Sequence, residues 1–361
     1  MSFWLFVLFF VATLLLCLAL LNIGKFEREK KGFDTSNKAG LAVTFAIVLG
    51  WILLQVAYPF FPSKEFALGL YPFLIAAVSL SVYSIRKGRI NRFWIYLFVT
   101  LLSVAFLPEN SFVFQGLLPL FYDRFLAALL WAIFIYIYTR IDKLSGLTII
   151  QTSALCLGFS FFSIITMGKL YAVDFCFYPM LILASLIGFV NYKKYTPDAL
   201  LGKTGSAPLG YLMGLFFALL AIKGYWIAFF IMPFYYYFEF IYSFIYQLFH
   251  RNTSQPVPFS FFISWVIRRN MNIKGLFSRL FLVMFLFACI GLLFNQNIRL
   301  MFVLVLFLCV STLYKLLYWG QPKITWRSMF HDTKEAFGVI KSNVKDSYDT
   351  VSTYIKDKNR K

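Results

Sequence analysis

Apolar runs long enough to cross a lipid bilayer recur along most of this chain, and they restrict its fold more than any other feature. The first run occupies residues 2–23 and the last occupies residues 298–319. A hydrocarbon core offers no hydrogen-bond partners to the backbone, so continuous apolar runs of this length must form helices there. The chain is 61% hydrophobic and 14% charged, unlike a soluble domain. The sequence therefore predicts an all-α integral membrane protein.

The spacing of these runs predicts about 11 transmembrane helices. The fifth begins near Leu117 or Phe125 and ends at Tyr138. The others cover residues 2–23, 39–61, 66–85, 93–107, 147–167, 170–190, 207–222, 225–249, 277–294 and 298–319. With alternating loops, 27 of the 34 Lys and Arg residues fall on one side of the membrane. The positive-inside rule makes that side cytoplasmic, with the N-terminus outside and the C-terminus in the cytoplasm.

The net charge of +19 follows from this loop asymmetry, so we expect no nucleic-acid partner. The five cysteines lie inside apolar runs without metal-ligand spacing, and the chain has only two histidines. These residues predict no metal site built from Cys or His.

We divide the chain into a polytopic membrane domain, residues 1–319, and a basic cytoplasmic tail, residues 320–361. In the tail, apolar residues recur at helical spacing from Phe330 to Ile355. This pattern is typical of an amphipathic helix that lies on the anionic inner leaflet. A helix that binds a protein partner is the alternative.

Residues 196–206 form the most polar, glycine-punctuated loop between two predicted spans. Gly202 and Gly205 allow positive φ and the close approach of a ligand. Thr204 and Ser206 offer hydroxyls that we expect to cap the next helix. Together with Lys203, such a helix start favours a phosphate-like anion. The alternative is an ordinary turn with a cap.

Two carboxylates are interpreted as structural or intramembrane polar groups. Glu239 lies near the middle of the ninth predicted span, where a carboxylate is costly. It either makes an interhelical hydrogen bond or belongs to a proton or ion path. Asp198 lies in the loop before Lys203.

Four segments resemble motifs of one enzyme family. Residues 200–210 are similar to a cytoplasmic Met-Gly-Asp-Thr-Gly-Ser-x-x-Leu-Gly loop, and residues 139–147 to an Asn-x-x-Asp-Gly-x-Asp-Gly-Leu motif. Residues 32–42 resemble a first loop ending in Gly-Gly-Leu-Ala, and residues 84–88 stand where the family has Asp-Asp and basic residues. The family is the polyprenyl-phosphate N-acetylhexosamine-1-phosphate transferases (glycosyl transferase family 4), which includes the phospho-N-acetylmuramoyl-pentapeptide transferases.

The chain departs from the family pattern where the resemblance would place carboxylates. Lys203 stands in place of a magnesium-binding Asp and Ser145 in place of a second Asp. Ser84 and Ile85 replace the Asp pair, and residues 252–272 lack the family's histidines. Asp142 alone is retained, so the resemblance makes it the candidate catalytic residue. The same comparison suggests that the ammonium groups of Lys203 and Lys143 bind a phosphate where the family holds a metal; Arg86 and Lys87 are further candidates for binding a phosphate or a lipid headgroup.

These observations leave three hypotheses for function. The first is a catalytically degenerate homologue of UDP-sugar:polyprenyl-phosphate sugar-1-phosphate transferases in the bacterial inner membrane. It would bind a polyprenyl phosphate or another anionic lipid, or act with a protein partner in envelope polysaccharide synthesis, with no cofactor. The second is an active transferase with altered use of Mg²⁺. The third is a transporter or channel in which Glu239 matters.

The predicted topology is tested by reporter fusions at the two termini. A reporter fused after Lys361 should be cytoplasmic, and one fused before Met1 should be outside, because an odd number of spans separates them. Alkaline phosphatase and green fluorescent protein fusions read the two sides independently. Both termini on one side would contradict eleven spans.

Overall fold

The computed structural model describes seven stretches of the chain and a few isolated residues. The stretches are residues 10–22, 35–57, 92–107, 111–141, 146–166, 169–196 and 201–225, and the isolated residues are 8, 75, 232, 233, 236, 237, 240, 281, 282 and 284–286. The predicted third, tenth and eleventh spans, nearly all of the ninth span, and the tail lie outside these stretches.

Within the described stretches the chain is helical and contains no strand. The helices are α1 (Phe10–Asn22), α2 (Thr35–Ala57), α3 (Arg92–Ala105), α4 (Leu120–Ile141), α5 (Leu147–Thr166), α6 (Lys169–Tyr195) and α7 (Gly202–Leu220), which continues into a π-helical turn, Ala221–Tyr225. Four segments are long and apolar enough to cross a membrane: Ala39–Val56, Leu120–Thr139, Phe175–Tyr195 and Gly202–Tyr225. The chain is therefore a multi-pass helical membrane protein.

The positions of the predicted spans agree with these helices, but two predicted boundaries are wrong. α6 continues through Tyr195 instead of ending at residue 190, and α7 begins at Gly202 instead of residue 207. Hydropathy marks only the part of a helix that lies in hydrocarbon, whereas helical hydrogen bonding continues into the polar boundary. The predicted loop 191–206 is consequently reduced to residues 196–201.

α7 is the central helix, and 94% of its apolar stretch is buried. Small residues recur at every fourth position along it, at Ser206, Gly210, Gly214 and Ala218. A Cβ atom on Gly214 would lie 2.1 Å from the Cδ1 and Nε1 atoms of Trp131, and one on Gly210 would lie 3.1 Å from Tyr138 Cβ. This stripe therefore lets α4 approach the backbone of α7 closely.

Aromatic side chains fill the contact between α4 and α7. The Trp131 ring stacks on Tyr211 at 4.9 Å, and Trp131 Nε1 donates a hydrogen bond to Tyr211 O at 3.0 Å. Phe134 contacts Phe217 edge to face at 5.5 Å. Since Trp131 faces Gly214 and Tyr138 faces Gly210, the two helices are antiparallel.

Contacts near the helix ends show which loops share one end of the bundle. Tyr138, near the end of α4, makes a hydrogen bond to Thr152 near the start of α5 and also faces Gly210 of α7. Gly40 of α2 contacts Gly205. Phe93 of α3 meets Tyr136 of α4. These helix ends lie at one end of the bundle, and with the C-terminal end of α6 they carry most of the Lys and Arg residues of the described stretches. We call this the loop end.

The opposite end of α7 is covered by the connector at residues 111–119. The buried Asp123 carboxylate accepts hydrogen bonds from the backbone N–H groups of Val113 (2.8 Å) and Phe114 (2.9 Å). Gln115 Nε2 donates to Ala221 O at 2.7 Å, where α7 widens into its π turn. Gln115 itself has φ 55°, a left-handed conformation that is uncommon outside glycine. The connector is therefore tied both to α4 and to the end of α7.

The close contact between α4 and α7 predicts a graded effect of adding methyl groups. Gly214→Ala should destabilise the bundle by about 1–3 kcal/mol, because the new Cβ displaces the indole of Trp131 from a tightly packed core. Gly210→Ala should cost less, since its Cβ needs a shift of only a few tenths of an ångström. Thermal unfolding of the detergent-solubilised protein measures both. Equal effects of the two substitutions would contradict the contact geometry.

Candidate functional site

The candidate site lies at the loop end, where α2 and α7 cross. A Cβ atom on Gly40 would lie 2.1 Å from Leu201 O and 2.5 Å from Gly205 N, and one on Gly205 would lie 2.8 Å from Gly40 Cα. Only glycine permits backbone contact this close. The crossing therefore joins two of the segments singled out by sequence, residues 32–42 and residues 200–210.

A side-chain hydrogen bond accompanies this crossing. Pro208 in α7 has no N–H, so the carbonyl of Thr204, four residues earlier, lacks its usual intrahelical donor. Thr44 Oγ1 lies 3.4 Å from that carbonyl oxygen and 2.9 Å from Gly40 O. The Thr44 hydroxyl is thus shared between its own helix and the open carbonyl of α7.

The expected cap at the start of α7 is wrong. The N-cap position is Leu201, which has helical angles (φ −65°, ψ −34°) and makes no side-chain capping hydrogen bond. Thr204 and Ser206 lie inside the helix and are buried. The helix starts before them, at Gly202, so their hydroxyls come too late in the chain to reach the first free N–H groups.

Gly202 and Gly205, the two glycines of this segment, have different roles. Gly202 has the positive φ that the sequence analysis allowed. Gly205 lies in the helix, and its missing side chain makes room for α2 and not for a ligand. Lys203, between them, is exposed in the first turn of α7. The arrangement therefore presents one ammonium group on a rigidly packed helix start.

Six other candidate residues lie outside the described residues, and their side chains are not placed. They are Arg86, Lys87, Asp142, Lys143, Asp198 and Glu239. Asp142, Lys143 and Asp198 adjoin described helix ends, since α4 ends at Ile141, α5 begins at Leu147 and α7 begins at Gly202. The loop that contains Asp142 thus begins and ends at the same end of the bundle as Lys203.

The described residues of the loop end have a one-sided charge. They lie within residues 35–44, 92, 136–141, 146–152, 191–196 and 201–210. These ranges contain no Asp or Glu, but they contain Lys38, Arg92, Arg140, Lys193, Lys194 and Lys203. Asp34, Asp142 and Asp198 adjoin these ranges in the sequence, so Lys and Arg are in excess at this end but are not its only charges, and the excess attracts anions. Within the described part of the chain, no group of three or more His, Cys, Asp or Glu residues could hold a metal ion.

The sequence did not single out Gln151, one of two buried polar groups near this end; the other is Ser206, which was already a candidate. Gln151 of α5 is fully buried, and neither atom of its amide has a hydrogen-bond partner among the described residues. The Ser206 hydroxyl is likewise buried and unpartnered within those residues. A Gln in an apolar run was the available signal, because a buried amide in a membrane span is costly without a partner.

Comparison with known proteins adds no relative. No protein-family model matches the chain, and a search of curated proteins found no significant match.

Proposed function

We propose that this protein binds a phosphate-bearing lipid, such as a polyprenyl phosphate, at its loop end. In this proposal it is a catalytically degenerate homologue of UDP-sugar:polyprenyl-phosphate sugar-1-phosphate transferases. The observation that carries the proposal is the excess of Lys and Arg over Asp and Glu in the loops at this end, where the packed start of α7 presents Lys203. Its membrane would be the bacterial inner membrane, with the loop end in the cytoplasm.

The charge distribution separates lipid binding from metal-dependent transfer. Phosphoryl transfer needs Mg²⁺ or an equivalent positive charge to stabilise the phosphate oxygens. Mg²⁺ itself is usually held by one or two carboxylates. Where the resemblance would place such a carboxylate, this chain carries Lys203. An ammonium there attracts a phosphate directly and leaves no position for the metal.

The packing of α7 favours a defined binding position for Lys203. Its neighbours Leu201, Thr204 and Gly205 all contact Gly40 of α2, so the backbone that carries the ammonium is fixed. The first N–H groups of α7 also give this end a partial positive charge. A lipid phosphate at the membrane surface would contact both the Lys203 ammonium and these N–H groups. The protein would then present or sequester the lipid, or act as a partner subunit in envelope polysaccharide synthesis.

Removing the ammonium group of Lys203 tests the proposal. Lys203→Ala should weaken retention of polyprenyl phosphate by about one to two orders of magnitude, the effect of one charge-assisted hydrogen bond. Paired carboxylates in Lys203→Asp with Ser145→Asp should abolish it by repulsion. Native mass spectrometry of the purified protein measures the retained lipid. Lys223→Ala, at the opposite end of α7, is the matched control. Equal retention by wild type and Lys203→Ala would show that this helix start is only structural.

The affinity for Mg²⁺ provides a second test of the proposal. With Lys203 and Ser145 in place of two carboxylates, Mg²⁺ should bind the loop end no more tightly than about millimolar. Isothermal titration calorimetry of the full-length protein, with and without Asp142→Asn, measures this affinity. Tighter binding that Asp142→Asn removes would contradict the proposal and favour an active transferase.

A further inference from the structure

A cleft of about 370 Å³ lies between the C-terminal ends of α1 and α6. Its lining residues are Leu18, Asn22, Asn191, Tyr192, Lys194 and Tyr195. α1 and α6 are in direct contact just below it, where Cys17 Sγ donates a hydrogen bond to Ser185 O at 3.3 Å. The cleft belongs to the loop end but shares no residue with the crossing of α2 and α7.

The described residues that line the cleft are rich in hydrogen-bond donors and include no carboxylate. Asn22 and Asn191 contribute amides, Lys194 an ammonium group and Tyr195 a phenol. None of these four side chains makes a hydrogen bond within the part of the chain that the structure describes. Donors of this kind around one cation are the groups that bind phosphate oxygens.

Below the cleft, both helices present apolar side chains. On α1, Val11, Leu15, Leu18 and Asn22 follow one another at steps of four, three and four, so they form one stripe. Val11 is 44% exposed and Leu15 is 57% exposed. On α6, Ile187 is exposed and shares its stripe with Asn191 and Lys194. Both stripes change from apolar to polar at the cleft, as they would at the boundary between hydrocarbon and headgroups.

We propose that this cleft binds the phosphate headgroup of an anionic phospholipid, with an acyl chain lying along the apolar stripes of α1 and α6. The phosphate oxygens accept hydrogen bonds from the Asn22 and Asn191 amides and from the Lys194 ammonium. The apolar stripes select a lipid over a soluble phosphate, because they provide the surface for the chain. The site uses other helices and other residues than the Lys203 site, so either can exist without the other.

Native mass spectrometry of the full-length protein tests the cleft with phosphatidylglycerol as the probe. Lys194→Gln should lower phosphatidylglycerol retention by roughly tenfold, since one charged hydrogen-bond donor is lost. Asn191→Leu should lower it as well. Lys193→Gln removes the same charge one residue away, outside the cleft, and should leave retention nearly unchanged. Lys194 is exposed, so its variant should keep the wild-type Tm.

Four results would overturn the inference. Equal losses in Lys194→Gln and Lys193→Gln would indicate general surface charge. Equal retention of phosphatidylcholine with the same acyl chains would remove the selectivity for an anionic lipid. Competition by glycerol 3-phosphate at concentrations matching the lipid would indicate a soluble phosphate ligand. Loss of phosphatidylglycerol in Lys203→Ala, with none in Lys194→Gln, would assign the lipid to the other site and leave this cleft without one.

Discussion

Close backbone packing around α7 is the constraint on which the rest of the bundle depends. In a bilayer the lipid tails are as apolar as the side chains, so helices gain little by hiding hydrophobic surface from water. They associate through dense van der Waals contact and hydrogen bonds between helices. Dense van der Waals contact occurs where Gly214 meets Trp131 and where Gly40 meets Gly205. The hydrogen bond from Trp131 to Tyr211 O links α4 to α7. A large side chain at either glycine of α7 would separate the helices that define the loop end.

Both ends of α7 are also held by side chains from other elements. At the loop end, Thr44 approaches the carbonyl that Pro208 leaves without a donor. At the other end, Gln115 donates to Ala221 O beside the π turn. The connector that carries Gln115 is in turn fixed by Asp123. Both ends of the helix that carries Lys203 are therefore anchored by other elements of the bundle.

The sequence was sufficient for the positions of the described helices, because hydropathy decides them. It was not sufficient for the start of α7. The composition of residues 202–206 predicts a loop, since Gly, Thr and Ser are poor helix formers. The segment is nevertheless helical, because it packs against α2. Asp123 and Gln115 could not be assigned roles from sequence, because the groups they bond come from turns whose geometry no periodicity reveals. The approach of Gly40 to Gly205 likewise depends on the packing of helices that are distant in sequence.

Charge alone cannot identify the ligand of the loop end, because the same Lys and Arg residues set the topology of the chain. A Lys or Arg that only sets the topology needs to stay in the polar region at the membrane surface, and a flexible side chain is enough for that. A charge that binds a ligand is, in addition, held in place by a packed backbone or accompanied by other hydrogen-bond donors. Lys203 meets the first condition through the packed start of α7, and Lys194 meets the second through the neighbouring amides of Asn22 and Asn191. The two proposed sites therefore differ in kind: Lys203 lies on a packed helix start, whereas Lys194 lies in a cleft beside the amides of Asn22 and Asn191.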